Sequence, residues 1–189
     1  MESLDDRVLG LLDKGHTRAD FVDLVGLARE AGLVLSPTFI PFMPWTSIEG
    51  YLDLLAELAK LGLIDHVAPI QLAIRLLIPA GSRLLELPEL PPFLDGYDET
   101  ALTHRWSHPD PRVDRLHETV LAIVERDDAA GGGRRDTFSR FWHAVHEACG
   151  DPAPVVPAGK TEAAEIAVPR LSEPWYCCAE PTADQFAVT

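Results

Sequence analysis

Residues 33–51, LVLSPTFIPFMPWTSIEGY, leave the chain few conformational options. Leu33, Leu35 and Phe39 fall to one side, and Val34, Ser36, Thr38 and Ile40 to the other, which predicts a buried strand. Pro41 and Pro44 end its pairing, because proline has no N–H to donate. Thr46 precedes Glu49 by three residues, the spacing at which each side chain accepts a hydrogen bond from the other's backbone N–H, so a helix is expected to start there. That helix buries Tyr51, Leu54, Leu55, Leu58 and Leu61 and stops at Gly62, which tolerates the left-handed conformation. Strand, loop and helix in this order form the repeating unit of an α/β protein.

The flanks follow the same pattern. Thr17 with Asp20 opens a helix with Phe21, Leu24, Val25 and Ala28 at core spacing, ended by Gly32. After Gly62, HVAPIQLAIRLLIP predicts a second strand, with Ala68, Ile70, Leu72 and Ile74 on one face and Pro69, Gln71, Ala73 and Arg75 on the other. Helices joined by strands in this order imply a parallel sheet with right-handed crossovers. Its apolar face meets the helices, so Ser36, Thr38, Gln71 and Arg75 are expected to face the opposite side, which in a barrel is the interior. Two parallel strands leave both edges open. Met1 runs almost straight into a helix, with only a remnant of a strand before Leu4, so the expectation is the later part of a larger barrel.

Beyond this part, 79–92 (PAGSRLLELPELPP) predicts a turn, a short helical segment and a proline stop, and residues 93–108 are expected to be irregular. Helices are expected from about Pro111 to Asp127, with Val113, Leu116, Val120 and Val124 on one face, and from about Asp136 to Ala148. The second carries a stripe of Phe138, Phe141, Trp142, Val145 and Cys149, and AAGGGRR separates the two. Five prolines between Asp151 and Pro174 mark a linker able to span about 30 Å. The expected organisation is an α/β fold: a partial parallel (β/α) barrel over 1–92, a helical extension over 93–150, a Pro-rich linker over 151–174 and an irregular tail over 175–189.

Composition excludes several partners. A net charge of −14 repels nucleic acid and anionic membrane surfaces. The longest apolar stretch is broken by Pro69, Gln71, Arg75 and Pro79, so no membrane span is expected. MESLDDR is acidic and unlike a signal peptide. Three cysteines make no disulfide framework, which fits a reducing cytoplasm.

KGHTRADF, AREAGL, PWTSIEGYLDLL and IRLLIPAGSRLLE, in that order over residues 10–90, resemble the second half of a radical S-adenosylmethionine (SAM) barrel. WYCCAEP resembles the signature tail of the CUAEP/CCAEP-tail radical SAM proteins, in which selenocysteine can replace the second cysteine, here Cys178. The resemblance implies a barrel of radical SAM type, with SAM and a [4Fe–4S] cluster as cofactors of the full-length protein. It also implies a missing N-terminal half of the barrel, or a complementing chain, as partner. The family's CxxxCxxC loop is absent, since the cysteines are Cys149, Cys177 and Cys178, and so is the glycine-rich motif after an early strand. The glycine-bearing fifth-strand motif is replaced by SPTFIPFMP. The cluster is therefore not expected on this chain, which is expected to be inactive alone.

For Ser36, Thr38, Gln71 and Arg75 the resemblance implies contacts to SAM. Arg75 could pair bidentately with a carboxylate, or could satisfy a buried acidic partner or a carbonyl at the strand end. Cys177 and Cys178 are the candidate catalytic pair. Adjacent α-carbons lie about 3.8 Å apart, shorter than disulfides prefer, so a bridge between them is strained and easily reduced. As thiolates they could instead grip a soft metal. His143, His146 and Glu147 near Cys149, and His104 with His108, are assigned no metal, because Cys149 falls within the apolar stripe and the last two histidines lack a third donor. Three functions stay open: part of a radical SAM enzyme, a non-catalytic SAM-like binding module, and a thiol relay or soft-metal carrier.

Overall fold

The computed structural model describes residues 1–157, so Cys177, Cys178 and most of the expected linker lie outside the described residues. Five helices carry the core: α1 (Asp6–Leu11), α2 (Arg18–Glu30), α3 (Ile48–Lys60), α4 (Pro111–Ala129) and α5 (Arg134–Cys149). Their ends follow from local chemistry. Thr17 and Asp20 form the expected capping box at α2. At α3 the cap is Ser47, one residue later than expected, whose hydroxyl accepts from the Gly50 N–H. Gly62 follows α3 with φ +65°, where any other residue would be strained.

The amphipathic stripes are buried largely as predicted. Tyr51, Leu54, Leu55 and Leu58 of α3 pack with Val113, Leu116 and Val120 of α4 and with Phe138, Phe141, Trp142 and Val145 of α5 in one apolar cluster. Each such side chain contributes roughly 1.5–3 kcal/mol by leaving water. This cluster crosses the boundary expected at residue 92, so the helical extension shares its core with the first part of the chain. Leu24, expected in the core, is instead 50% exposed. A second cluster gathers Val8, Met43, Trp45, Leu76, Ile78, Leu90 and Trp106.

The expected parallel sheet is reduced to one parallel bridge. The Phe42 N–H donates to the Ile74 carbonyl (3.1 Å) and the Leu76 N–H to the Phe42 carbonyl (2.8 Å), pairing Phe42 with Arg75. Residues 33–40 contain no helix, turn or bend, but they form no ladder. Pro69 explains the loss on the second strand. It fixes φ and opens a 3₁₀ turn, Pro69–Leu72, in which the Gln71 and Ala73 N–H groups donate back to Ala68 and Ile70. The segment 93–108, expected to be irregular, contains an antiparallel hairpin of β1 (Leu94–Asp98) and β2 (Thr103–Trp106) with a bulge between Leu94 and Gly96. Pro79 pairs with Thr103, and the Ile40 N–H donates to the Glu2 carbonyl. A sparse backbone array thus runs from Glu2 through 40–42 and 74–79 to the hairpin.

The beginning of the expected linker is docked: the indole N–H of Trp142 donates to the Pro154 carbonyl at 2.8 Å, and Ala153 and Val156 pack on the main cluster. No helix among the described residues is long and apolar enough to cross a membrane.

Candidate functional site

Arg75 is the most heavily engaged of the expected site residues. One guanidinium nitrogen donates to Asp114 Oδ1 (2.8 Å) on α4, another to the Trp106 carbonyl (2.6 Å) on β2. The guanidinium also lies 3.6 Å above the centre of the Trp106 ring, a cation–π arrangement. Its side chain is only 13% exposed. Trp106 belongs to one apolar cluster, while Asp114 sits beside Val113 and Leu116 of the other, so Arg75 ties the two together. The acidic partner and the strand-end carbonyl are both present, and the carboxylate that Arg75 meets is the protein's own.

Two groups complete this junction. Asp114 Oδ2 accepts from the His108 N–H at 3.0 Å, fixing the turn into α4. The His117 ring packs edge-on against Phe42 at 4.9 Å and its Nε2 meets the Ala73 carbonyl at 3.1 Å. Burial, reinforced by the positive Arg75, depresses the His117 pKa to about 4; the Ala73 carbonyl and Asp114 pull weakly the other way. His117 is therefore the neutral tautomer protonated on Nε2 at physiological pH, donating to Ala73. Sequence reasoning singled out neither Asp114 nor His117. Asp114 stands in the first turn of a helix, where a carboxylate is favoured by the helix dipole alone.

Among the described residues no hydrogen bond ties the other expected residues to Arg75, Asp114 or His117. Ser36 and Thr38 are exposed on the unpaired stretch, where the Ser36 hydroxyl makes only a long contact (3.4 Å) to the His66 carbonyl. Gln71 is half-buried in the 3₁₀ turn. A cavity of about 270 Å³ lies beside α1, α2 and α3, lined by Glu2, Asp5, Asp6, Arg18, Thr46 and Asp53 among others. A groove of about 370 Å³ between α4 and α5 is lined by Arg112, Arg115, Thr119 and Glu147 with Leu116, Ala144 and Ala148. None of the four expected contacts lines either. In the cavity Arg18 is held by Asp53 (2.5 Å) and Glu57 (2.6 Å). Burial opposes the charged form of Glu57, but hydrogen bonds from Arg18 and Lys60 hold its pKa below the ordinary value.

Among the described residues the donor set does not suit an iron–sulfur cluster. Among the described residues no three His, Cys, Asp or Glu side chains gather at metal-binding distances. Cys149, half-buried on α5, has its thiol pKa raised by burial and by the negative Glu49 and Asp151, so it is a poor thiolate. His146 lies 4.8 Å from the Trp142 ring, and neither of its buried ring nitrogens has a hydrogen-bond partner among the described residues. No protein-family model, curated protein or solved structure matches this chain.

Proposed function

We propose that this chain is the rear wall of a radical SAM-type (β/α) barrel. It holds the assembly's shape while the cluster and its SAM are bound by residues supplied elsewhere, and it is inactive alone. The observation that carries the reading is the order Phe42, α3, Arg75, in which two extended segments are joined through a helix and meet in parallel register. Parallel strands need such a crossover, and they rarely stand without further strands beside them. The sequence resemblance at PWTSIEGYLDLL and WYCCAEP points the same way. In this reading Arg75, Asp114 and His117 are the brace behind the wall, and the chain contributes positioning. The Cys177–Cys178 tail is proposed to act on redox steps or to capture an intermediate in the assembled enzyme.

The test is anaerobic incubation of the purified chain with ferrous iron, sulfide and SAM. The expected result is no [4Fe–4S] absorption and no SAM cleavage. A cluster that cleaves SAM on this chain alone would overturn the proposal. Saturable SAM binding without a cluster would replace it with the binding-module reading, and metal binding by a peptide of residues 170–189 with that of a thiol carrier.

A further inference from the structure

Residues 34–38 carry backbone groups that have no partner among the described residues. Leu33 is tied back to α2, its N–H donating to Ala28, and the next N–H with a backbone bond is that of Ile40, to Glu2. Between them exposure alternates, with Ser36 and Thr38 exposed and Leu35, Pro37 and Phe39 more covered. In extended chain the N–H and C=O of alternate residues point to the same side. Val34, Ser36 and Thr38 therefore present theirs on one side and Leu35 on the other, where its carbonyl meets the His66 ring at 2.8 Å. Pro37 belongs to that second side, so its missing donor does not interrupt the free row.

Beside this row lies exposed apolar surface. Leu27 is 63% exposed and Leu33 is 66% exposed, one turn beyond the half-exposed Leu24. The Leu33-to-Ala28 and Gly32-to-Arg29 bonds form a Schellman turn, which folds Leu33 back toward Leu27. Acidic groups flank Leu27 on α2: Asp23 stands at i−4 and Glu30 at i+3. Arg29, on the same helix, is turned to the Leu61 carbonyl, and Arg134 and Arg135 are engaged at Asp65.

We infer that the 34–38 edge and the Leu24–Leu27–Leu33 patch together receive one β-strand from a basic polypeptide segment. Backbone pairing supplies the attraction, as when a peptide adds to a sheet edge, and the acidic border selects its charge. A second copy of this chain is disfavoured, because it would bring the same acidic border and another charge of −14. The inference rests on the proposed reading that the wall is completed by other residues. Its test is separate, since it needs no cluster.

A fluorescent seven-residue peptide of alternating valine and threonine with lysine at both ends is titrated against the full chain. Saturable anisotropy is expected, weakened at least tenfold by Leu27→Lys, which removes apolar surface and repels the lysine ends, and abolished by Thr38→Pro. Both substitutions fall on exposed positions, and the Thr38 N–H has no bond to lose, so circular dichroism of the variants should match the parent. A glutamate-ended peptide should bind at least tenfold more weakly at low salt. Absence of binding, equal binding by the Leu27→Lys chain, or a dimer of the free chain at micromolar concentration by sedimentation would overturn the inference. Cluster assembly on the chain alone would instead overturn the reading beneath it.

Discussion

Replacing Arg75 by alanine is expected to destabilise the chain by about 2–4 kcal/mol, because it strands the part-buried Asp114 carboxylate and the Trp106 carbonyl in one step. For a domain of this size that lowers the melting temperature by roughly 10 °C. The surface salt bridges are a useful contrast. Arg105 and Asp98, 3.8 Å apart with Arg105 65% exposed, should contribute little that a melt can detect, because water screens them. Arg75 differs because it joins two apolar clusters and lies over an indole. Lysine should restore less than half of the loss, since an ammonium cannot reach both acceptors in the fork geometry and stacks less well. Thermal denaturation of the parent, Arg75→Ala and Arg75→Lys proteins decides the matter. If Arg75→Ala melts with the parent, the residue is not a brace, and its role as a contact for a bound carboxylate becomes the better account.

The second large effect is on pH. His117 has an ordinary value of 6.5 and a folded value of about 4, so the unfolded chain takes up a proton first as the pH falls. Stability is then fully present above about pH 6.5 and is lost progressively down to about pH 4, by roughly 3 kcal/mol across the window. Burial sets the sign and Arg75 adds to it, while the Ala73 carbonyl and Asp114 oppose it less strongly. Carboxylates held below their usual values, such as Glu57 and Asp127, lose their contributions mostly below about pH 5. Urea unfolding at a series of pH values should show the decline, and His117→Gln should flatten it between pH 4 and 6.5. Arg75→Ala should flatten it in part, because the nearby positive charge is gone. An unchanged slope in His117→Gln would show that the imidazole is not the group responsible.

The helices were legible because burial imposes their period. Tyr51, Leu54, Leu55 and Leu58, or Phe138, Phe141, Trp142 and Val145, recur at a spacing only a helix presents to one side. Caps were legible where a single side chain could serve. At α2 only Thr17 fits, whereas at α3 Thr46 and Ser47 compete and the second wins. The strands were misjudged for a reason visible in the prolines. Alternation over 67–78 describes side chains, but Pro69 decides the backbone and folds the segment into a 3₁₀ turn. The hairpin was missed because β1 has no buried face to alternate, and only Thr103 and Trp106 of β2 are buried. At the junction, the kind of partner Arg75 takes could be read from its position, but not which residue supplies it. Asp114 lies 39 positions away, and nothing local marks it.

Amide hydrogen exchange on the free, monomeric chain tests most directly whether residues 33–40 are an incomplete sheet edge. The N–H groups of Val34, Ser36 and Thr38 are expected to exchange at rates near those of an unfolded peptide, while those of Phe42 and Leu76, which close the parallel bridge, exchange only with global unfolding. Protection of Val34, Ser36 and Thr38 equal to that of Phe42 and Leu76 would contradict the account, because the edge would then already be paired.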